Sequence, residues 1–160
     1  MSTNSTNSVA TQPQLGADAR ERMLNILLVE DDELDVMSVR RAFQKNNIVN
    51  PLHVASNGVE ALEMLRGHNG RTQIPPQRRI VLLDLNMPKM GGIEFLREIR
   101  KDPELRMLTV VVLTTSDEER DKVEAYRLNV AGYILKPVTL SAFVETMATL
   151  NKYWMVNELP

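Results

Sequence analysis

The chain has 160 residues, of which 43% are hydrophobic, and its 19 basic and 21 acidic side chains leave a formal net charge of -2. This size fits one globular domain with short extensions, and the charge supplies no basic excess for binding nucleic acid. There is no cysteine and there are two histidines, which excludes disulfides, thiolate sites and multi-histidine metal sites. Since no apolar run reaches the roughly 18 residues of a membrane span and no secretory signal pattern precedes the first strand, we expect a cytoplasmic protein without membrane contact.

The first residues differ in composition from the rest of the chain. Residues 1–22 are rich in Ser, Thr, Asn and Gln and hold few large apolar side chains. Because such a segment buries too little surface to offset the entropy of ordering, we predict a disordered N-terminal extension over 1–22. We predict the folded domain over residues 23–152, followed by an apolar C-terminal tail over 153–160.

Five short apolar runs predict five strands, and an amphipathic helical pattern follows each of them. The runs cover residues 26–29, 51–55, 80–83, 109–113 and 133–135. Continuous apolar runs are typical of strands that are buried on both faces, and a βα alternation predicts a parallel sheet covered by helices. We therefore expect an α/β fold of the (βα)5 type, whose five-stranded parallel sheet has the flavodoxin-like order 2-1-3-4-5.

Local signals predict where several helices begin and end. Asp32 is interpreted as a helix N-terminal residue rather than a ligand, and Asn57 as the start of the second helix. Ser116 with Glu119 resembles a capping box for the fourth helix. The last helix is predicted to end near Lys152, and its apolar stripe consists of Leu140, Phe143, Val144, Met147 and Leu150.

Polar side chains follow four of the five predicted strands. Glu30 and Asp31 follow the first, Asp84 ends the third, Thr114 ends the fourth and Lys136 follows the fifth. In an open parallel sheet, ligands bind outside the carboxyl ends of the strands. We therefore expect three acids, one hydroxyl and one ammonium to meet in a single crevice.

These residue types point to phosphoryl transfer. Clustered carboxylates repel one another unless a cation lies between them, and oxygen ligands without His or Cys favour Mg²⁺. Lys136 supplies a positive charge for an anion. A carboxylate acceptor beside a divalent cation and an ammonium can accept a phosphoryl group while its oxygens are neutralised.

The motifs together resemble the receiver domains of two-component response regulators, the CheY-like family. The resemblance spans roughly residues 24–152, and its motifs are VEDD at 29–32, DLNMPKMGG at 84–92, Thr114 and GYILKP at 132–137. The long loop before the third strand, the TTSD segment at 114–117 and the closing segment also resemble stand-alone regulators that are paired with bacterial phytochromes. This likeness implies a single receiver domain that serves a histidine kinase, with a bacteriophytochrome as a candidate donor.

The resemblance implies roles for the acidic cluster. Asp84 is the phosphorylated residue, and Mg²⁺ binds to Asp31, to Asp84 and to the backbone carbonyl of Asn86. Glu30 assists the metal through a water molecule. The protein is then a phosphoacceptor in signalling rather than an enzyme, and its own chemistry is limited to self-catalysed phosphorylation and autodephosphorylation.

The resemblance also implies a switch. Lys136 pairs with the phosphoryl group, Thr114 donates its hydroxyl to a phosphoryl oxygen, and Tyr133 swings inward in response. The Lys136–Pro137 bond is expected to be cis, which would direct the lysine side chain.

No output domain is expected after the last helix, so the signal is expected to leave by protein–protein contact or by phosphorelay. The tail carries Tyr153, Trp154, Met155, Val156 and Leu159, and aromatic residues and Met are types enriched at interfaces. We therefore predict a symmetric homodimer with the tail in its interface. The alternative is that the tail folds back onto its own domain.

Three other functions compete with this interpretation. An aspartyl phosphohydrolase needs an acid two residues after the nucleophile, where Asn86 cannot protonate a leaving group. A flavodoxin-like cofactor binder needs phosphate-binding amides and hydroxyls after the first strand, where four acids at 30–33 would repel phosphate. A degenerate receiver that acts only as an interaction module would not need the complete set of site residues.

Overall fold

The computed structural model describes residues 23–160, and the disorder predicted for residues 1–22 lies outside this range. Five strands alternate with five helices. The strands are β1 (Asn25–Val29), β2 (Leu52–Ala55), β3 (Arg79–Leu83), β4 (Thr109–Thr114) and β5 (Gly132–Leu135). The helices are α1 (Glu33–Lys45), α2 (Gly58–Arg66), α3 (Gly92–Lys101), α4 (Glu119–Arg127) and α5 (Leu140–Val156).

The strands form one parallel sheet in the order β2-β1-β3-β4-β5, which confirms the predicted fold. Val29 at the end of β1 pairs with Leu83, and Leu83 pairs with Val112 on β4. The register therefore brings the residues that follow these strands to the same edge of the sheet.

Each face of the sheet is covered by its own set of helices. One buried cluster joins Leu27 and Val29 of β1 to residues of α2, α3 and α4, while the other joins Ile26 and Leu28 to residues of α1 and α5. Successive strand residues point to opposite faces, so an unbroken apolar strand supplies both clusters. Burial on both faces makes the strands a rigid base for the loops at their carboxyl ends.

Side-chain caps confirm two of the predicted helix starts. The Asp32 side chain accepts a hydrogen bond from the Leu34 backbone N–H at 2.8 Å, and the Asn57 side chain accepts one from the Glu60 N–H at 2.9 Å. Each cap satisfies a backbone donor that has no partner within its own helix. Asp32 therefore orients the first turn of α1 next to the acidic end of β1.

The capping box predicted for α4 is wrong. The residue before α4 is Glu118, which makes no side-chain cap, and the helix begins at Glu119. The Ser116 hydroxyl donates instead to Asp121 Oδ2 at 2.6 Å. This hydrogen bond joins the loop before α4 to Asp121 in the first turn of the helix.

Helix α5 runs to Val156, so the prediction that it ends near Lys152 is wrong. Phe143, Met147, Leu150 and Trp154 follow one another at helical spacing and are all buried. The rings of Trp154 and Phe43 on α1 lie 6.2 Å apart between centroids in a tilted arrangement. Burial of Trp154 extends the apolar stripe by one turn, and this residue packs on its own domain.

The rest of the predicted apolar tail divides between core and surface. Leu159 packs against the cluster between the sheet, α1 and α5, whereas Tyr153, Met155 and Val156 are exposed. Among the described residues, no helix combines the length and apolar character needed to cross a membrane.

Candidate functional site

Three carboxylates meet at the carboxyl ends of β1 and β3. Oxygen atoms of Glu30, Asp31 and Asp84 all lie within 4.8 Å of one another. Glu30 and Asp84 are buried, while Asp31 is exposed at the mouth of the crevice. An all-oxygen set of this kind suits a hard divalent cation such as Mg²⁺, which keeps several waters and needs few protein ligands.

The two oxygens of Glu30 face different partners. Oε1 accepts a hydrogen bond from the Asp32 N–H at 3.0 Å, and Oε2 lies 2.6 Å from the Lys136 ammonium. Burial and the charge of Asp84 raise the pKa of Glu30 to about 7, although the bonds from Lys136 and from the Asp32 N–H oppose the shift. Lys136 lies closer to Glu30 than to Asp84, at 2.6 Å against 3.3 Å, and Asp31 is exposed, so Asp31 and Asp84 are the carboxylates with the greater freedom to contact a cation directly.

Asp84 accepts hydrogen bonds through both oxygens. Oδ1 accepts from the Thr114 hydroxyl at 2.8 Å and from the Asn86 N–H at 3.4 Å, and Oδ2 lies 3.3 Å from Lys136 Nζ. Asn86 itself is exposed at the rim. The predicted acceptor is therefore surrounded by the hydroxyl and the ammonium that the sequence placed at the ends of β4 and β5.

The Lys136 ammonium lies among three carboxylates in the crevice. Its side chain is only 7% exposed, and its ammonium lies 2.6 Å from Glu30, 2.8 Å from Asp35 and 3.3 Å from Asp84. Burial alone would lower the pKa of Lys136, but the hydrogen bonds with Asp35 and Glu30 outweigh it, so its pKa is raised. Lys136 is a permanent cation at neutral pH.

The expected cis bond at Lys136–Pro137 is wrong, because residues 23–160 contain no cis peptide bond. A trans bond before proline is favoured by about 0.5–1 kcal/mol unless the surroundings demand otherwise. Here the Lys136 N–H donates to the Thr114 carbonyl at 2.8 Å and three carboxylates hold the ammonium. These contacts direct the side chain without a cis bond.

A chain of hydrogen bonds joins the acceptor to Tyr133. The fully buried Thr114 hydroxyl donates to Asp84 and accepts from the Ser116 N–H at 3.3 Å. The Ser116 carbonyl in turn accepts from the Tyr133 hydroxyl at 2.8 Å. Burial raises the pKa of Tyr133, which keeps its hydroxyl protonated as a donor. Two of the three residues predicted as a switch, Thr114 and Tyr133, are thus connected through the loop residue Ser116.

Sequence reasoning missed Asp35. This residue lies in the first turn of α1. Its Oδ2 lies 2.8 Å from Lys136 Nζ, which is closer than Asp84 at 3.3 Å and second only to Glu30 at 2.6 Å. Acids are common in first turns because they suit the helix dipole, which hides a second role. The signal that the sequence offered was its place in the first turn of the helix that directly follows the acidic end of β1.

Comparison with known proteins shows the family of this chain. The response regulator receiver domain family matches residues 26–148. The "Probable methanogenesis regulatory protein FilR2" of Methanothrix harundinacea is 38% identical over 130 residues, which cover 81% of this chain and 83% of FilR2. Response regulator Rcp1 of Synechocystis sp. is 35% identical over 130 residues, covering 81% of this chain and 88% of Rcp1.

Solved structures show the same similarity. The phosphorylated cyanobacterial phytochrome response regulator RcpA has a TM-score of 0.77 at 33% identity, with 86% of this chain and 99% of RcpA covered. The Mn²⁺-bound form of Rcp1 has a TM-score of 0.75 at 33% identity, with 86% and 99% covered. The fold, the strand-end residues and these relatives lead to one conclusion, that this chain belongs to the response regulator receiver domain family.

Proposed function

We propose that this single receiver domain accepts a phosphoryl group on Asp84 from a histidine kinase, in a reaction that requires Mg²⁺. The observation that carries the proposal is the environment of Asp84. Its two oxygens contact the Thr114 hydroxyl and the Lys136 ammonium, and Asp31 lies in the same carboxylate cluster. This arrangement offers a nucleophile, a cation site and two groups that can bind phosphoryl oxygens.

The residues present suit Mg²⁺. Asp31, Asp84 and the backbone carbonyl of Asn86 would hold the ion, and Glu30 would assist through water because Lys136 lies closer to it than to Asp84, at 2.6 Å against 3.3 Å. When bound, Mg²⁺ neutralises charge on the phosphoryl oxygens during transfer. The Mn²⁺-bound form of the relative Rcp1 supports a divalent cation in this family.

The phosphoryl transfer exchanges one bond to phosphorus for another and consumes no other reactant. A carboxylate oxygen of Asp84 forms a bond to phosphorus as the bond from phosphorus to the donor histidine nitrogen breaks. The histidine leaves with the electron pair of that bond. Lys136 pairs with a phosphoryl oxygen and the Thr114 hydroxyl turns toward another. The Tyr133 ring then moves inward, because the Ser116 loop links it to Thr114.

A phytochrome kinase is the proposed donor, and protein–protein contact or phosphorelay is the proposed output. The support is similarity to RcpA and to the bacteriophytochrome response regulator AtBRR, which is 36% identical with a TM-score of 0.64. Leu34, next to Asp35 in the chain, and Val138, two residues after Lys136, are exposed apolar residues, which suits docking of a protein donor. We propose that this phosphoryl transfer takes place in the cytoplasm, where ATP is available for autophosphorylation of the kinase.

A homodimer remains part of the proposal, with a smaller tail surface than predicted. Trp154 is buried in its own domain, while Tyr153, Met155 and Val156 stay exposed at the end of α5. Sedimentation of wild type and of a Met155→Ser, Val156→Ser variant tests it, with Val49→Ser as a control for loss of an exposed apolar residue elsewhere. A dimer that is weakened only by the tail variant supports the proposal, and a monomer at tens of micromolar with and without phosphoryl contradicts it.

Phosphorylation with acetyl phosphate and Mg²⁺ tests the main proposal. Intact mass should rise by one phosphoryl group in wild type and should not change in Asp84→Asn. Asp32→Asn is the matched control, because it removes an adjacent charge while asparagine still caps α1. Unchanged labelling of Asp84→Asn would overturn the assignment, and an unlabelled wild type would favour the degenerate receiver. Steady hydrolysis of aryl phosphates would instead revive the phosphohydrolase.

A further inference from the structure

We propose that Asp35 is a positioning residue, which holds the Lys136 ammonium in the unphosphorylated protein and competes for it with the phosphoryl group on Asp84. The inference rests on the proposed function of Asp84. It adds a residue of α1 that sets how readily the phosphorylated state forms. Asp35 touches neither the acceptor carboxylate nor the expected metal ligands in the contacts of the described residues, and it acts through Lys136.

Three carboxylates share the Lys136 ammonium. A lysine ammonium carries three N–H donors, and three carboxylates lie within 3.3 Å of Nζ. Asp84, the site of phosphorylation, is the most distant of the three. A phosphoryl oxygen on Asp84 therefore competes for the Lys136 ammonium with two carboxylates that lie closer to it than Asp84 does.

Burial indicates that Asp35 is the partner released. The Glu30 side chain is 3% exposed, so separation from the cation would leave a buried charge without a partner. The Asp35 side chain is 28% exposed, so water can solvate it after separation. Asp35 also stands on a helix rather than on the sheet. Its ion pair therefore stabilises the unphosphorylated state more than the phosphorylated state.

The inference predicts the effect of removing the Asp35 charge. Asp35→Asn frees Lys136 for the phosphoryl group, so less phosphodonor is needed to reach the same degree of phosphorylation. The acetyl phosphate concentration at half-maximal phosphorylation should fall by about two- to fivefold, the size expected for a partly exposed ion pair. The maximal degree of phosphorylation should not change at saturating donor and Mg²⁺.

Glu33→Gln is the matched control. Glu33 lies in the same first turn of α1 and carries the same charge, but it is not among the carboxylates that contact Lys136. Any general effect of charge on the phosphoryl group, the metal or the helix dipole appears in both variants. Asp35→Glu restores the charge and should return the midpoint to within about twofold of wild type.

A second measurement needs neither phosphoryl group nor metal. Chemical unfolding of wild type, Asp35→Asn, Lys136→Met and the double variant in EDTA gives the coupling between the two side chains. We expect a favourable coupling for Asp35 with Lys136 and none for Glu33 with Lys136. The unfolding measurement shows whether the ion pair forms in solution. The acetyl phosphate concentration at half-maximal phosphorylation shows whether the ion pair competes with the phosphoryl group.

The outcomes separate the inference from the proposed function. A wild type that takes no phosphoryl group overturns both. If wild type is phosphorylated but Asp35→Asn has the same midpoint as Glu33→Gln, or a higher one, the inference alone is wrong. A missing coupling in EDTA also overturns it. A lower midpoint in Asp35→Asn only, with unchanged maximal phosphorylation and a measurable coupling, supports it.

Discussion

The Thr114 hydroxyl donates to Asp84 Oδ1 at 2.8 Å in a fully buried position. Thr114→Val removes this donor while keeping the shape of the side chain. We expect phosphorylation to proceed but the Tyr133 response to be lost, because the Ser116 N–H also loses its acceptor. Fluorotyrosine NMR of the phosphorylated protein measures the response. Thr114→Ser keeps the hydroxyl and should retain it, and a normal Tyr133 shift in Thr114→Val would contradict the proposed route.

Lys136→Met leaves Glu30 and Asp84 buried without their cation. Breaking a buried ion pair costs about 3–5 kcal/mol, so the free energy of unfolding should fall by roughly 3 kcal/mol in EDTA. Excess Mg²⁺ should restore part of the loss, because it supplies the missing positive charge. Chemical unfolding with and without Mg²⁺ measures both effects, and Lys152→Met is the control for loss of an exposed lysine.

Lys136 is also expected to couple phosphorylation to conformation. Lys136→Ala should still accept a phosphoryl group, but Tyr133 should not respond, because the ion pair that draws the end of β5 toward the phosphoryl group is absent. A Lys136→Ala protein that binds its target or dimerises normally when phosphorylated would count against this role.

Asn86 is predicted to influence how long the phosphoryl group survives. Its N–H bonds to Asp84 and its side chain is exposed beside the acceptor, where the amide can orient a hydrolytic water. We expect spontaneous loss over minutes in wild type and slower loss in Asn86→Arg. Phosphate release from the two purified phosphoproteins checks this, and equal rates would remove Asn86 from the mechanism.

Gly92 is required by the close approach of α3 to the acceptor strand. A Cβ at Gly92 would lie 2.5 Å from the Asp84 carbonyl oxygen and 2.7 Å from Leu85 Cα, so the backbone would have to move. Gly92→Ala should lower the free energy of unfolding by about 1–3 kcal/mol and slow phosphorylation. The neighbouring Gly91→Ala, whose nearest contact would be 3.4 Å, should change stability by less than about 0.5 kcal/mol.

Trp154 is predicted to stabilise the domain rather than a dimer. It is 4% exposed and packs on Phe43, so Trp154→Ala should lower the free energy of unfolding by about 3–5 kcal/mol. Exposed Met155→Ala should have little effect on the monomer. Chemical unfolding compares the two, and equal losses would show that Trp154 is not held in the core. A chain shortened to Lys152 would lose this contact and is therefore unsuitable for testing dimerisation.

The sequence by itself determined the sheet and most of the site. Apolar runs of strand length, each followed by a helical pattern, specify a parallel sheet, and parallel strands bring their carboxyl ends to one edge. Residues placed at those ends, such as Asp84, Thr114 and Lys136, could be predicted to meet without knowledge of any distance.

Only the tertiary structure decided which side chains contact one another within that site and beyond it. Asp35 is 101 positions from Lys136, and helical periodicity alone does not state that the first turn of α1 faces the end of β5. The extension of α5 to Trp154 likewise depends on Phe43, which lies on another helix. Local sequence determines which secondary structure the backbone forms. The packing of these elements against one another decides which distant side chains come within contact distance.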